Sequence, residues 1–328
     1  MIVALWALFI LGMLALAIGA YVRPQLSVAG KLKNRAILLY AANAGLKRAI
    51  AEVLADKTDS CDALNDSWSS NEGVFKDAAV GEGSFGVAYR ASDYSSGIED
   101  AQDIRYGLID EERKININRA SYPVLVNFFE IAGKADPQNA SEIADSIIDW
   151  RDTDEIQRPN GAESNYYLLL DTPYRSKNGD FQVLEELLLV KGMTPEIFDS
   201  VKGRITLYGR GAVNITTADS LVLRSIGISD PLSSKIINFR SGADGKEATE
   251  DDGIFDNLST VTSKLKDTVT LTDKEDAQLS NILAAGSISV SSDNFTGHCA
   301  ARVHGEGKPA IATFVFDRNK TIKYWRGD

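Results

Sequence analysis

Residues 1–20 (MIVALWALFILGMLALAIGA) carry no charge. A run of that length and composition predicts a membrane-crossing helix, because ~20 apolar residues cover the hydrocarbon of a bilayer. A secretory signal would instead show a basic start, a shorter apolar core and a small-residue cleavage site. Helical character continues beyond Pro24. Leu32, Leu39, Leu46 and Val53 recur at heptad spacing with Ala36 and Ile50 on the same face, while Lys31, Lys33, Arg35, Lys47 and Arg48 occupy the others. Helix formers persist to Asp56, and Thr58, Asp59 and Ser60 then break the pattern. A continuous rod would be ~80 Å long at ~1.5 Å per residue. The pattern predicts an anchor over 1–20 fused to a helical stalk over 21–57.

The 328 residues leave room for two or three folding units, and the 44% hydrophobic share supports a packed core. Lys and Arg number 35 against 46 Asp and Glu, a net charge of −11 that opposes nucleic acid and anionic headgroups alike. Cys61 and Cys299 are too far apart for a C-x-x-C motif. One anchor with a large soluble remainder points to an exported domain, so these cysteines are a candidate disulfide, the alternative being two free thiols. The basic residues after the anchor would, by the positive-inside rule, hold that side in the cytoplasm. A cleaved basic leader ahead of this numbering removes the conflict; otherwise Met1 is the start.

Residues 60–80 are polar and irregular and read as a loop. Residues 83–92 (GSFGVAYRAS) and 104–110 (IRYGLID) alternate as strands of one sheet, joined by a Ser/Gly-rich turn at 93–99. The middle of the chain is helical and weakly duplicated. NINRA at 116–120 precedes the helical runs SYPVLVNFFEIAG and SEIADSIIDWR, and NITTA at 214–218 precedes DSLVLRSIGIS and PLSSKIINFR. Asn116 thereby aligns with Asn214, Ala120 with Ala218, and Trp150-Arg151 with Phe239-Arg240. Between the two pairs, residues 183–209 read as a helix–turn–helix, with Gly192 as a C-cap and Pro195 opening the next helix. An acidic linker at 272–276 leads to a tail whose alternation predicts strands at 287–291, 298–306, 310–317 and 321–325. The expectation is α+β: a long N-terminal helix packed on an antiparallel sheet, with a large all-α insertion of the helix-hairpin-helix or SAM-like kind. The divisions are 58–112 and 284–328 for the two parts of the β domain, and 113–283 for the insert.

Each repeated helix runs into an acidic, glycine-bearing loop, 149–165 (DWRDTDEIQRPNGAESN) and 242–255 (GADGKEATEDDGIF). Calcium takes six to eight hard oxygens from carboxylates and turn carbonyls. The candidate ligands are Asp149, Asp152, Asp154 and Glu163 in the first loop and Asp244, Asp251 and Asp252 in the second, for one or two ions. Neither loop is an EF-hand, since Ile156 stands where the third ligand of a D-x-D start would be. Solvated acidic clusters are the common alternative. A carboxylate-pair hydrolase using Asp149, Asp152 and Glu163 lacks any sugar platform. A Cys299–His298 nucleophile pair is opposed by strand geometry, which sends neighbours to opposite faces. The helical hairpins resemble DNA-gripping helix-hairpin-helix modules, but IAGKADPQNA replaces the Gly-x-Gly hairpin in the first, and the surroundings are acidic. The expectation is no enzyme and no nucleic-acid partner.

The apolar helix, IRYGLIDEERKININRAS, IIDWRDTD with GAESNYY, PYRSKNGDFQVLEELLLVKGMTPE, ITLYGRGAVNITTA and the terminal IKYWRGD together resemble the general secretion pathway protein K family, the minor pseudopilins of type II secretion. The resemblance implies a pilin-like fold with a helical insert holding calcium, at the tip of a pseudopilus that moves folded proteins across the outer membrane. It implies I- and J-type minor pseudopilins and the major pseudopilin as partners, and processing of a basic leader by prepilin peptidase. It further implies single-pass residence in the inner membrane with the globular part in the periplasm, where secretin or cargo would be in reach. A membrane-anchored DNA-binding protein of competence type is the alternative. Pilins of this kind resemble one another in a glutamate at the fifth mature position, which meets the N-terminal amine of the preceding subunit. Here the residue is Leu5. An unpaired carboxylate inside the membrane is costly, so Leu5 suits the first subunit into a fibre.

Overall fold

The computed structural model describes residues 1–56, 60–91, 104–304 and 306–327. Helix α1 (Ile2–Ala55) is unbroken through Pro24, as the sequence predicts, and its apolar start is long enough to cross a membrane. The stretch expected as a loop at 60–80 holds a short helix α2 (Glu72–Phe75) and strand β1 (Ala78–Val80). Strands β2 (Gly83–Arg90), β3 (Ile104–Tyr106) and β4 (Ile109–Asp110) follow, and the turn expected at 93–99 lies outside the described residues.

The insert opens on β5 (Ile115–Asn116), then α3 (Tyr122–Ile131), α4 (Pro137–Arg151), α5 (Ser164–Tyr167), α6 (Pro195–Val201) and β6 (Ile205–Thr206). Its second half runs β7 (Val213–Asn214), α7 (Ser220–Ser225), α8 (Asp230–Arg240), α9 (Val261–Thr268), α10 (Asp273–Ala284) and β8 (Ile288–Ser289). β5 pairs in parallel with β6, and β7 with β8, so each half is a helical unit closed by its own two-stranded ribbon. Two expectations change here. The supposed linker at 272–276 is the first turn of α10, where Thr272 and Glu275 form a reciprocal capping box. The strand expected at 287–291 is β8, which closes the second half instead of joining the main sheet.

Strands β9 (Asn294–Val303), β10 (Glu306–Asp317) and β11 (Ile322–Gly327) complete the body. The main sheet is antiparallel in the order β1-β2-β9-β10-β11, with β3 on β2 and β4 on β9. Residues 306–309, which fall around the break expected between the strands 298–306 and 310–317, belong to β10.

Helix α1 packs on this sheet through Ala41, Ala42, Gly45, Leu46, Ala49 and Val53. Of the heptad stripe only Leu46 and Val53 are buried, while Leu32 and Leu39 are 62% and 54% exposed. A straight helix drifts ~20° per heptad, so a strict seven-residue stripe leaves the contact face. Small residues hold that face because the strands come close: a Cβ on Gly45 would lie 2.6 Å from Cys299 Sγ and 3.3 Å from the Phe85 ring. Gly83 abuts Ile37 and Ala41 beside Arg302, and Gly45 lies farther along α1 beside Cys299. The N-terminal end of β9 therefore lies toward the C-terminal end of α1. The insert leaves and rejoins the body there, away from the apolar segment.

Cys61 and Cys299, the candidate disulfide, are both buried free thiols. Cys61 belongs to the insert core with Trp150, Tyr167 and Phe128, and Cys299 to the body core with Trp68, Phe295 and Phe314. Two separate cores hold them apart.

Insert and body meet through buried charge at 110–114. Asp110 accepts hydrogen bonds from Asn214 Nδ2 (3.0 Å), Thr217 Oγ1 (2.5 Å) and the Glu112 amide (2.7 Å). Glu112 accepts from the amide and Nδ2 of Asn294, at 3.1 and 2.7 Å. Asp62 accepts from the Ser292 amide at 2.7 Å and from Arg318 at 2.5 Å. Glu111 pairs with Lys114 at 2.5 Å and accepts from Thr206 and Thr296. Burial pushes Asp62 up to about 7, and burial together with the Asp110 charge pushes Glu112 up to about 8. Burial also raises Asp110.

Two predictions follow from this packing. Gly45→Val should cost about 1–3 kcal/mol by overpacking, read as a lower urea midpoint with unchanged slope. A carboxyl with a raised folded pKa holds its proton more tightly folded than unfolded, so stability is lost as pH climbs from its unfolded value near ~4 through its folded one. The melting temperature should fall between pH 4 and pH 8, and Glu112→Gln should flatten that fall.

Candidate metal centre

The repeat has a physical core that its spelling only hints at. In the first half the Ala120 amide bonds the Asn116 carbonyl at 2.8 Å and the Asn118 amide bonds Asn116 Oδ1 at 2.9 Å. In the second half the Ala218 amide bonds the Asn214 carbonyl at 3.0 Å and the Thr216 amide bonds Asn214 Oδ1 at 3.0 Å. The arginine ending each second helix then clamps that turn. Arg151 donates to the carbonyls of Ile117 (2.5 Å) and Ala120 (2.6 Å), and Arg240 to those of Ile215 (3.2 Å) and Ala218 (2.5 Å). With the end of α4 and α8 pinned in this way, the acidic loops start from equivalent places.

The first loop folds back under α4. Asp145, not singled out from the sequence, is buried and receives Arg158 Nε at 2.7 Å, the Asn160 amide at 3.1 Å and Asn160 Nδ2 at 3.0 Å. Asp149 is fully buried and accepts from the Arg158 amide at 3.1 Å. Gly161 passes so close that a Cβ would stand 2.0 Å from Asp149 Oδ2, so no side chain fits there. Glu155 is occupied by Ser164 and Asn178.

Three carboxylates remain uncommitted enough to face one another. Asp152, Asp154 and Glu163 each place an oxygen within 4.8 Å of the others. Glu163 is 2% exposed, and both its oxygens are buried without a hydrogen-bond partner. The neighbouring Ser176 hydroxyl is engaged with Ser164 Oγ at 2.8 Å. Asp152 Oδ1 is likewise buried and unpartnered. Burial pushes Glu163 up to about 7, with Asp149 and Asp152 adding their repulsion, and pushes Asp149 up to about 6. Burial and the Asp154 charge raise Asp152. Buried carboxylates without donors are costly unless protonated or joined to a cation. Three hard carboxylate oxygens gathered by one loop fit calcium in kind. Asp149 lies beside this group with its oxygens turned to the Arg158 amide.

The second loop is built differently. Asp251 accepts from the amides of Ala243 (2.7 Å) and Asp244 (3.1 Å) and from Thr249 Oγ1 (2.8 Å), and these donors hold it below the ordinary carboxylate range. Asp252 accepts from the Ala248 amide at 2.7 Å and Thr249 at 3.0 Å, and Asp244 from the Lys246 amide at 2.7 Å. Among the described residues Asp244, Asp251 and Asp252 do not converge on one point. Glu247, which the sequence reading passed over, turns inward as the buried partner of Arg240, and Arg105 of β3 donates to its carbonyl at 3.4 Å. The repeated arginine was the one signal pointing toward it. A further acidic group, Asp56, Asp62 and Asp66, also lies within 4.8 Å. There Asp62 is held by Arg318 and Ser292, and Asp66 by the Ala63 amide and Trp68 Nε1.

The rival sites dissolve in the geometry. Burial pushes the Cys299 thiol up to about 12 inside the α1–sheet core, while His298 on the opposite face lies 3.0 Å from the Thr313 hydroxyl. In the second helical hairpin the Ser229 amide donates to Gln278 Oε1 at 3.1 Å and Gln278 Nε2 donates to the Gly227 carbonyl. The backbone that would meet a phosphate is engaged by α10. Leu5 is 65% exposed on the apolar part of α1.

Residues 116–210, the first repeat, match the family model described as type II secretion system (T2SS), protein K. A chain of the solved GspK-GspI-GspJ complex from enterotoxigenic Escherichia coli shares the fold, with a TM-score of 0.66 at 15% identity over 92% of this chain and 99% of that one. No sequence of a curated protein matches. The family model agrees with the K-type resemblance carried by the motifs, and the solved structure agrees with the expected fold.

Arg240→Met should deprive the half-buried Glu247 of its ion-pair partner and the Ile215 and Ala218 carbonyls of their donor, destabilising the fold by about 3 kcal/mol. Equilibrium urea unfolding measures it, and the double variant with Glu247→Leu should recover only part of the loss, because the Ile215 and Ala218 carbonyls still lack their donor.

Proposed function

We infer that this chain is a K-type minor pseudopilin of type II secretion, and propose that it leads the pseudopilus, starting its assembly and aiding export of folded proteins across the outer membrane. The observation that carries the reading is the placement of the insert. It crowns the body at the C-terminal end of α1, opposite the apolar segment, where a preceding subunit would otherwise stack. A body so capped suits a terminal position and no interior one. Leu5 fits the same place, since a leading subunit has no amine ahead of it to neutralise a carboxylate. In this reading the first part of α1 sits in the inner membrane and the globular part lies in the periplasm. I- and J-type minor pseudopilins flank it, as the named components of the solved complex suggest. The major pseudopilin follows, and prepilin peptidase processes the chain. Secretin or cargo would meet the insert, whose role is structural and not catalytic.

The proposed cofactor is calcium in the first loop, held by Asp152, Asp154 and Glu163 with Asp149 adjacent. Its work would be mechanical: neutralising the buried carboxylates and locking the loop against α4. The second loop, with its carboxylates on its own amides, would need to release them to take a second ion.

Two experiments test the reading. The melting temperature should rise in calcium relative to chelator, and Glu163→Gln with Asp152→Asn should remove at least most of that rise while leaving the chelator value unchanged or higher. Equal melting of the parent protein in both conditions refutes the cofactor. Leu5→Glu should leave fibre initiation and secretion unchanged or reduced, and a clear gain in either contradicts the leading position.

A further inference from the structure

The main sheet ends on an open strand. Among the described residues β11 pairs with β10 alone, and Ile322, Lys323, Arg326 and Gly327 on it are exposed. Exposed edges of this kind are ready templates for another chain's backbone. What sets this edge apart is a cavity on each side of it. On the α1 face a cavity of about 190 Å³ is lined by Arg35, Leu38, Leu39, Ala312 and Trp325. On the opposite face a cavity of about 240 Å³ lies between the sheet and the insert, lined by Thr313, Val315 and Tyr324 against Val183, Leu184 and Leu207. Tyr324 and Trp325 are consecutive and so point to opposite faces, each forming a wall of one cavity. Trp325 is fixed there by stacking on Phe314 at 6.0 Å and 7°.

The charge at this edge opposes that of the whole chain. Arg35 and Arg326 are exposed with no carboxylate partner among the described residues, and Lys323 adds to them beside Asp317. In a chain of net charge −11 this is a local positive rim. A strand laid beside β11 would send alternate side chains to the two faces, which is how strand addition combines backbone affinity with side-chain specificity.

We propose that β11 is a docking edge for an extended acidic segment of a partner protein, one that alternates apolar and acidic residues and extends the sheet. Its apolar side chains enter the cavity beside Tyr324 or beside Trp325. With its apolar side chains beside Tyr324 its carboxylates meet Arg35 on the α1 face, and with them beside Trp325 its carboxylates meet Arg326 on the opposite face.

The test uses the full chain in detergent and a fluorescein-labelled peptide, Val-Glu-Val-Glu-Val-Glu-Val, read by anisotropy at low salt and by amide hydrogen exchange. The peptide should bind and slow exchange of the Ile322–Gly327 amides at least tenfold. The lysine counterpart, Val-Lys-Val-Lys-Val-Lys-Val, should bind at least tenfold more weakly. Arg35→Glu with Arg326→Glu should weaken binding of the acidic peptide at least tenfold without moving the melting temperature, since both side chains are exposed. N-methylation of alternate peptide nitrogens on the pairing side should abolish binding. Failure to bind, binding without protection of β11, binding that survives N-methylation, or pairing of β11 with a second copy of this chain instead would each overturn the proposal.

Discussion

The buried charged segment at 110–114 is the constraint on which the rest of the architecture depends. Among the described residues the two large hydrophobic cores, one around Trp150, Tyr167 and Phe128 and one around Trp68, Phe295 and Phe314, are separate clusters. What joins them is a set of directional hydrogen bonds among Asp62, Asp110, Glu112, Asn214, Ser292 and Asn294. Apolar contact would tolerate rotation of insert against body. Buried carboxylates do not, because each must keep its donors or bear the desolvation cost of losing them. Asp110 takes its donors from the second repeat, and Glu112 takes them from the start of β9. The orientation of the insert is thus set by polar chemistry at the point where the chain leaves and rejoins the sheet.

Above that junction the insert uses one device twice and then diverges. Arg151 and Arg240 close equivalent turns, and burial disfavours the charge of both, so each depends on the carbonyls that accept from it. Arg240 also receives Glu247 from its own loop, which ties that loop inward and on to Arg105 of the body. The first loop sends no acid to Arg151. Its carboxylates instead gather around Glu163, short of donors. The same hairpin supports a self-satisfied loop in one half and a donor-deficient one in the other.

Much of this was legible in the residues. The apolar run before Pro24, the split sheet, the Asn-to-Arg spacing of the two hairpins and the acidic loops all carry local signals of period or composition. The places where the reading changed each have their own physical reason. Leu32 and Leu39 keep heptad spacing yet leave the contact face, because the strands reach only part of α1 and favour its alanines and Gly45. Residues 272–276 look like a linker by charge and are a helix cap, because Thr272 and Glu275 bond each other's backbone. Residues 287–291 alternate like a sheet strand and pair with β7, because pairing partners are chosen in space.

The sequence by itself determined the elements and their classes: an anchor continuous with a stalk, strands on either side of a duplicated helical insert, and two acid-rich loops in equivalent positions. These follow from hydrophobic period and local hydrogen-bond chemistry, which act over a few residues. Only the tertiary structure decided which acids are short of partners, that Cys61 and Cys299 lie in different cores, and that the insert crowns the far end of the body. Those outcomes depend on donors and neighbours brought from up to hundreds of residues away, as Ser292 and Arg318 are to Asp62. No local pattern encodes them, because desolvation is a property of the packed whole.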